Sequence, residues 1–555
     1  MKLSALVLCI WLTPAFVLAQ DVTLSGKVTR PQGSEGIVRI SALPLQQIGD
    51  ERFRMCSKEE FFRATADPGD ATCADDGTFA LTVKAGAYCV YAFADTNDNG
   101  RWDPAGPEPM GWYATQASGH LTQLRAKKDT SDINFTLQAP THFSEETATA
   151  PGGVLRQMKG YTVLQLSGDA QTRGYAHGKL VAPQIVDFFR FYILEEKFRS
   201  ASAYEQGFAK FLNTHFAYPQ EFVTECKAVI AGMQDSGANL FVPELGRNFS
   251  LTDLYAINGY IETRAMRSSC TQFAAWGERT EGTDVSGGMI TGRNMDGEID
   301  LRRVTVSHFL LFAVDPDEPG QKRYVSMMWP GFVATISGFN EDGFYTMENA
   351  GLTGPGGVVD KLVPFSWAMR ESLAKLGSDA TPESVQQLVD SFDNAAGGSC
   401  GPGCVTLFAV PYTGQETPAF ILEGDRFGDA FRRAEDVEPR VPQALVGSNH
   451  HRVYGVEPAT PNLVFGREPS FSSLWRYEAG KHKLASWYRT GREIGTPEMQ
   501  ELLQTVAHGT TEYAIITRPN VKEFDVSVAS MKAEMWDAPY REWTTFTVEE
   551  MFEGN

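Results

Sequence analysis

After the first nineteen residues the chain has no run of ~20 consecutive apolar residues, which excludes an ordinary membrane-spanning helix from the rest of it. Positive charge is in short supply. Lysine and arginine number 49 against 69 acidic residues, a net charge of −20 that a phosphate backbone or an anionic membrane would repel, so nucleic acid is excluded as a partner. Cysteine is sparse at eight residues, and there is no internal repeat and no low-complexity tract. What remains is ordinary globular usage, 42% hydrophobic and 21% charged, which fits neither wholesale disorder nor a multi-span membrane protein. At 555 residues the chain is about four times a ~150-residue domain, so more than one folded unit is expected.

The first nineteen residues carry Lys2, an apolar run from Leu3 to Leu18 broken by Pro14, and Val17-Leu18-Ala19 ahead of Gln20. Charge, length and small-residue end are those of a secretory signal peptide over residues 1–19, so the expected location is secreted, periplasmic or extracellular, with a mature chain from about Gln20. Without Cys9 of the signal, seven cysteines remain: Cys56, Cys73, Cys89, Cys226, Cys270, Cys400 and Cys404. An odd number leaves at least one unpaired in a monomer. Cys400 and Cys404 flank the turn Gly401-Pro402-Gly403, and Cys56 with Cys73 is a second local pair.

Residues 20–138 have strand periodicity. Phe79, Leu81 and Val83 alternate with Ala80 and Thr82, and after Ala85-Gly86 the pattern resumes with Tyr88, Val90 and Ala92, predicting a small all-β sandwich domain. Residues 139–155 turn to Pro, Thr, Ser, Glu and Gly, the texture of a solvated linker. Beyond it, Val181, Ile185, Phe188, Phe189 and Tyr192 fall on one helical face. Helix is expected to about Arg267, then strands and turns from Cys270 to Asn349, including the apolar runs Val304 to Val314 and Tyr324 to Met328. Helices near Trp367 to Leu376 and Pro382 to Ser391 precede strands near Val405 to Pro411 and Ala419 to Leu422. The class for residues 156–555 is α+β.

Asp95-Thr96-Asn97-Asp98-Asn99-Gly100-Arg101-Trp102-Asp103 places oxygen side chains at alternate positions before a glycine. Such a loop wraps Ca²⁺ through Asp95, Asn97, Asn99 and Asp103, or is an acidic hairpin turn without metal; both readings stand. Gly397-Gly398-Ser399-Cys400-Gly401 matches the nucleophile-elbow pattern without the strand before it or the helix after it, so the match is accidental. His450 and His451 are adjacent, with no third ligand at metal spacing, and are read as structural.

The strongest constellation surrounds Cys270. Ser269-Cys270-Thr271-Gln272-Phe273-Ala274-Ala275-Trp276-Gly277 is followed, across a polar turn, by Met289-Ile290-Thr291-Gly292-Arg293-Asn294-Met295-Asp296. Two strands in a hairpin would set Arg293 and Asp296 beside Cys270, and a guanidinium near a thiol favours the nucleophilic thiolate.

These stretches resemble the autoproteolytic N-terminal-nucleophile (Ntn) hydrolases of the acyl-CoA:6-aminopenicillanate acyltransferase type. More distantly they are similar to bile salt hydrolases, penicillin V acylases and acid ceramidase. Arg173-Gly174-Tyr175-Ala176-His177-Gly178, Gly338-Phe339-Asn340-Glu341-Asp342-Gly343 leading to Asn349, Ser448-Asn449-His450, and Ser472-Ser473-Leu474-Trp475-Arg476 carry the same likeness. The resemblance implies an αββα four-layer sandwich over 156–555, divided by self-cleavage into 156–269 and 270–555, which stay associated. It makes Cys270 the nucleophile, Asp296 the holder of its α-amino group and Arg293 the stabiliser of the thiolate. Asn349 and Asn449 would serve the oxyanion and the substrate, with Arg476 also at the site. The reaction implied is hydrolysis or acyl transfer on the amide bond of small N-acyl substrates, with no cofactor. A lipid acyl hydrolase of the phospholipase B type or a dipeptidase on the same fold is the alternative, and a non-catalytic secreted binding protein the alternative of another class.

Overall fold

Alternating apolar residues decide the first strands. Val22, Leu24 and Val28 of Asp21–Thr29 point one way and meet Phe79 and Leu81 of the antiparallel strand Thr78–Lys84, with Leu24 opposite Leu81. A second sheet is built on Ile37–Pro44 paired with Gly86–Asp95. In the latter Val90, Tyr91, Ala92 and Phe93 are all buried, so this strand is covered on both faces. Residues of both sheets share one hydrophobic cluster drawn from positions 22–137. The computed structural model describes residues 20–31, 33–44, 71–100, 108–113, 124–137, 141–198, 201–242, 244–262, 269–297, 302–356, 361–392, 403–507, 509–529 and 537–553. The segment read as a signal peptide, Cys56, Asp103, Ser399 and Cys400 lie outside these.

The rest is a mixed α/β structure with two large sheets. Ten strands run in the order Gly428–Arg432, Ala419–Asp425, Cys404–Ala409, Tyr345–Ala350, Ser337–Asn340, Tyr324–Met328, Leu310–Pro316, Tyr161–Gly168, Gly153–Met158 and Ala148–Ala150. Six strands run Ala444–Gly447, Thr271–Ala275, Ile290–Asp296, Thr511–Arg518, Glu523–Val528 and Thr544–Thr547. The sheets face each other. Met295, Tyr513, Ile515 and Phe524 of the six share a core with Leu311, Met327, Phe339 and Met347 of the ten, and the Phe339 and Phe524 rings meet edge to face at 6.4 Å. The opposite face of the six-stranded sheet, through Phe273, Ala275, Ile290 and Ile516, packs on Leu484 and Trp487 of helix Phe471–Thr490 and on Met499, Leu502 and Leu503 of helix Thr496–Val506.

Helix Ala170–Asp187 begins at Asp169, whose side chain accepts the Thr172 amide, and lies against Gln220–Asp235. Their approach requires glycine: a Cβ on Gly178 would stand 1.9 Å from the carbonyl oxygen of Val229, and one on Gly232 2.0 Å from that of Tyr175. The glycines of the Arg173-to-Gly178 stretch are thus a helix crossing.

Three expectations are corrected. The segment read as a linker over 139–155 contains strand Ala148–Ala150 and the start of Gly153–Met158, which close one edge of the ten-stranded sheet; polar composition there reflects a solvated edge. Val304 belongs to a short helix, Arg302–Thr305, ahead of strand Leu310–Pro316, because an apolar run does not reveal its period when both faces are buried. Cys73 is a free thiol, so the Cys56–Cys73 bridge is not formed. No helix among the described residues is long and apolar enough to cross a membrane.

Candidate active site

Strands Thr271–Ala275 and Ile290–Asp296 pair antiparallel with Gln272 opposite Arg293, which places Cys270 one residue before the first strand and Asp296 at the end of the second. All of Cys270, Arg293, Asp296, Asn349 and Arg476 are buried between the two sheets and the helix Phe471–Thr490. Five of the six residues predicted at this site come from five separate stretches of sequence, and the sixth, Arg293, shares its strand with Asp296; the fold brings them to one place.

Arg293 is the centre of the thiol's surroundings. Its Nη2 lies 3.8 Å from Cys270 Sγ and donates to the Glu348 carbonyl at 2.8 Å, while Nη1 donates to the Ile336 carbonyl at 2.7 Å and to the Ser337 hydroxyl. Burial works against its charge, but Tyr513 and the thiol of Cys270 favour the charged form and hold its pKa above the ordinary value. A permanent cation is therefore fixed on the sulfur by donors to three backbone or hydroxyl oxygens of the facing sheet.

Asn449 and Arg476 grip the backbone of Cys270. The Cys270 amide donates to Asn449 Oδ1 at 2.8 Å, and Arg476 Nη2 donates to the same oxygen at 2.8 Å. Arg476 Nη1 donates to the Cys270 carbonyl at 2.5 Å and to Thr271 Oγ1 at 2.7 Å. Burial pulls Arg476 below its usual pKa, opposed by Asp296 and then Cys270. In this intact chain Asn449 is an acceptor toward the nucleophile's nitrogen, and its Nδ2 donates instead to the Ala350 carbonyl at 2.8 Å. That is a different use from the oxyanion role the resemblance implied. Asn349 Nδ2 faces the carbonyls of Ser448 at 3.2 Å and Cys270 at 3.4 Å. Asp296 accepts from Thr511 Oγ1 at 2.6 Å.

Several supports were not picked out from sequence. Ser473 Oγ accepts the Asn449 amide at 2.9 Å, Thr271 anchors Arg476, Thr511 anchors Asp296, and Ser337 with Tyr513 backs Arg293. Thr271 and Ser473 stand in the stretches that carry the resemblance, around Cys270 and ahead of Arg476; Thr511, Ser337 and Tyr513 stand in none of them. His450 is buried, its Nδ1 lies 2.7 Å from Ser473 Oγ, and burial followed by Arg452 pushes its pKa down to about 3.

The acidic turn does not fit a cation as it stands. Both carboxylate oxygens of Asp95 are taken: Oδ2 by Arg39 Nε at 2.5 Å and the Gly100 amide at 2.8 Å, Oδ1 by the Asn99 amide at 3.1 Å. Asn97 Oδ1 also accepts the Asn99 amide, and Arg39 pairs with Asp98 at 2.8 Å. A guanidinium supplies positive charge at this turn, as the metal-free reading of the loop requires, and among the described residues no cluster of three or more His, Cys, Asp or Glu suits a metal.

No family model matches this chain, and no curated protein does. Solved structures give partial likenesses. A Caenorhabditis elegans N-acylethanolamine-hydrolyzing acid amidase ortholog is 15% identical, covering 45% of this chain and 93% of its own with a TM-score of 0.31. A mutant of conjugated bile acid hydrolase from Clostridium perfringens is 10% identical, covering 50% and 96% with a TM-score of 0.32. Penicillin V acylase from Agrobacterium tumefaciens is 12% identical, covering 47% and 83% with a TM-score of 0.28. At these TM-scores the likenesses assign no reaction to this chain.

Proposed function

We propose that this protein is a secreted, self-cleaving cysteine hydrolase or acyltransferase that acts on the amide bond of small N-acyl compounds. The observation that carries the reading is the guanidinium of Arg293 fixed 3.8 Å from the buried thiol of Cys270 while Asn449 and Arg476 hold the same residue's amide and carbonyl. A buried inert cysteine has no use for that constellation. The packing order of helices, six strands, ten strands and helices supports an αββα sandwich of the Ntn type over 156–555, with residues 20–138 as a separate β-domain and 1–19 as the exported signal.

Maturation would begin with Cys270 Sγ attacking the Ser269 carbonyl carbon. The thiol proton passes to the departing nitrogen, the C–N bond breaks and a thioester forms; water then cleaves the thioester to leave the Ser269 carboxylate and a free Cys270 α-amine. An α-amine titrates near pH ~8 and can accept the thiol proton at neutral pH. Asn449 Oδ1 already accepts from this nitrogen, and it would go on holding the amine, with Asp296 as the charge partner. In turnover the Cys270 sulfur, its proton taken by the α-amine, attacks the substrate carbonyl beside the Arg293 guanidinium, the donors of Asn349 face the developing oxyanion, and water or an amine releases the acyl group.

The test is mass spectrometry of the purified secreted protein beside assays on N-acyl amides. Fragments of about 20–269 and 270–555 are expected, with cleavage between Ser269 and Cys270. A fully active intact chain would refute self-cleavage.

A further inference from the structure

Around the Tyr477 ring of helix Phe471–Thr490 the structure gathers polar groups without hydrogen-bond partners. Tyr477, Lys481 and His450 are each only 1% exposed. The Tyr477 hydroxyl, His450 Nε2 and Arg452 Nε are buried and lack any hydrogen-bond partner. The Arg452 guanidinium lies 5.0 Å from the centre of the Tyr477 ring, and the His450 ring meets the same tyrosine edge-on at 5.2 Å. Lys481 stands one helical turn beyond Tyr477 in Phe471–Thr490, hence on the same face. Among the described residues its ammonium makes no hydrogen bond or ion pair.

Charge counting sharpens the anomaly. Arg432, the third cation here, is neutralised by Glu423, which accepts its Nε at 2.6 Å and spends its other oxygen on the amides of Arg452 and Val453 at 2.7 Å each. Of the acids near Lys481, Glu438 pairs with Arg440 at the surface and Glu478 lies 3.2 Å from the His482 imidazole. Neither Lys481 nor Arg452 makes an ion pair among the described residues. Burial, then Arg432 and Arg452, depresses Lys481 to about 8, the response of an ammonium whose partner is missing. Buried polar atoms of this kind are costly unless satisfied.

We propose that Lys481, Arg452 and the Tyr477 hydroxyl bind a small dianionic oxyanion of the sulfate or phosphate class, with His450 Nε2 as a further donor in the tautomer that carries the proton there. Two unpaired cations match two negative charges, and the anion would tie the helix bearing Arg476 to the segment bearing Asn449. The site is separate from the thiol and independent of whether Cys270 is catalytic.

The experiment is thermal unfolding of the full chain in sodium sulfate, phosphate, acetate or chloride at equal ionic strength. Sulfate and phosphate should raise the melting temperature saturably by several degrees above chloride, with acetate near chloride. Lys481→Met should abolish the sulfate increment and, by removing an unpaired buried charge, raise the melting temperature in chloride. Arg452→Gln, at a half-buried position, should weaken the sulfate response at least tenfold in apparent Kd. An equal sulfate response in both variants, or equal effects of sulfate, acetate and chloride on the wild type, would overturn the proposal. A lower melting temperature of Lys481→Met in chloride would do so too, because the lysine would then already be satisfied.

Discussion

Among single side chains, the contrast between Cys226 and Cys270 is instructive. Both are buried free thiols. Cys226 has burial and then Glu225 pushing its pKa well up, the environment of an inert core thiol, whereas Cys270 has a fixed guanidinium at its sulfur. Cys270→Ala should therefore abolish both self-cleavage and turnover, while Cys226→Ala leaves both intact; a gel and an amidase assay on the two variants check this. Arg293→Lys should cost at least ~10²-fold in kcat, because one ammonium cannot replace donors to Ser337, two carbonyls and the sulfur together. Asn449→Ala should slow turnover by at least ~10²-fold and slow processing too, since its Oδ1 is the acceptor for the very nitrogen that cleavage would release as the general base. Normal processing in Asn449→Ala would show that this contact does not matter to maturation.

Elements report on a different kind of constraint. The crossing of Ala170–Asp187 and Gln220–Asp235 leaves no room for a Cβ at Gly178, so Gly178→Ala should lower stability by about 1–3 kcal/mol through forced separation of the helices, measurable by denaturant unfolding. Gly207, with open space around it, should tolerate alanine. In the β-domain, the turn after Gly86–Asp95 is held by Asp95 and Arg39. Millimolar Ca²⁺ should leave the melting temperature of the full chain unchanged, whereas Asp95→Ala should destabilise by about 1–3 kcal/mol by stripping Arg39 and two amides of their acceptor. A Ca²⁺-dependent rise that Asp95→Ala removes would restore the metal reading.

At the scale of the whole molecule, buried histidines link stability to pH. His177, whose Nε2 accepts the Gly331 amide at 3.0 Å, is held neutral by burial, with its pKa lowered from 6.5 to about 4. Because the folded value lies below the unfolded one, the unfolded chain takes up the proton first as pH falls. The stability this group contributes is full above about pH 6.5 and is lost progressively toward pH 4, on the order of 3 kcal/mol in all. His177→Gln, which keeps an acceptor for Gly331, should flatten the unfolding free energy between these pH values; an unchanged slope would show that His177 does not titrate there.

Local pattern reached far in this sequence where one residue's fate depends on its neighbours. Strand alternation around Phe79 and Leu81 depends on a period of two residues, a property of the chain itself, whereas the face read from Val181 to Tyr192 is broken by a kink at Val181 and a π-helix over Phe188–Phe198. The edge strands at 148–158 escaped because solvated edges look like linkers, and Val304 because burial on both faces erases the period. Tertiary structure alone decided what each polar group touches. Asp95 meeting Arg39, 56 residues away, makes an ion-paired turn of a loop whose spacing left two readings open, and Asn449 meeting the amide of Cys270, 179 residues away, makes it an acceptor. Hydrogen-bond partners are chosen by positions in space, which no spacing along the chain encodes, and the same holds for the donors around Lys481 that await an anion.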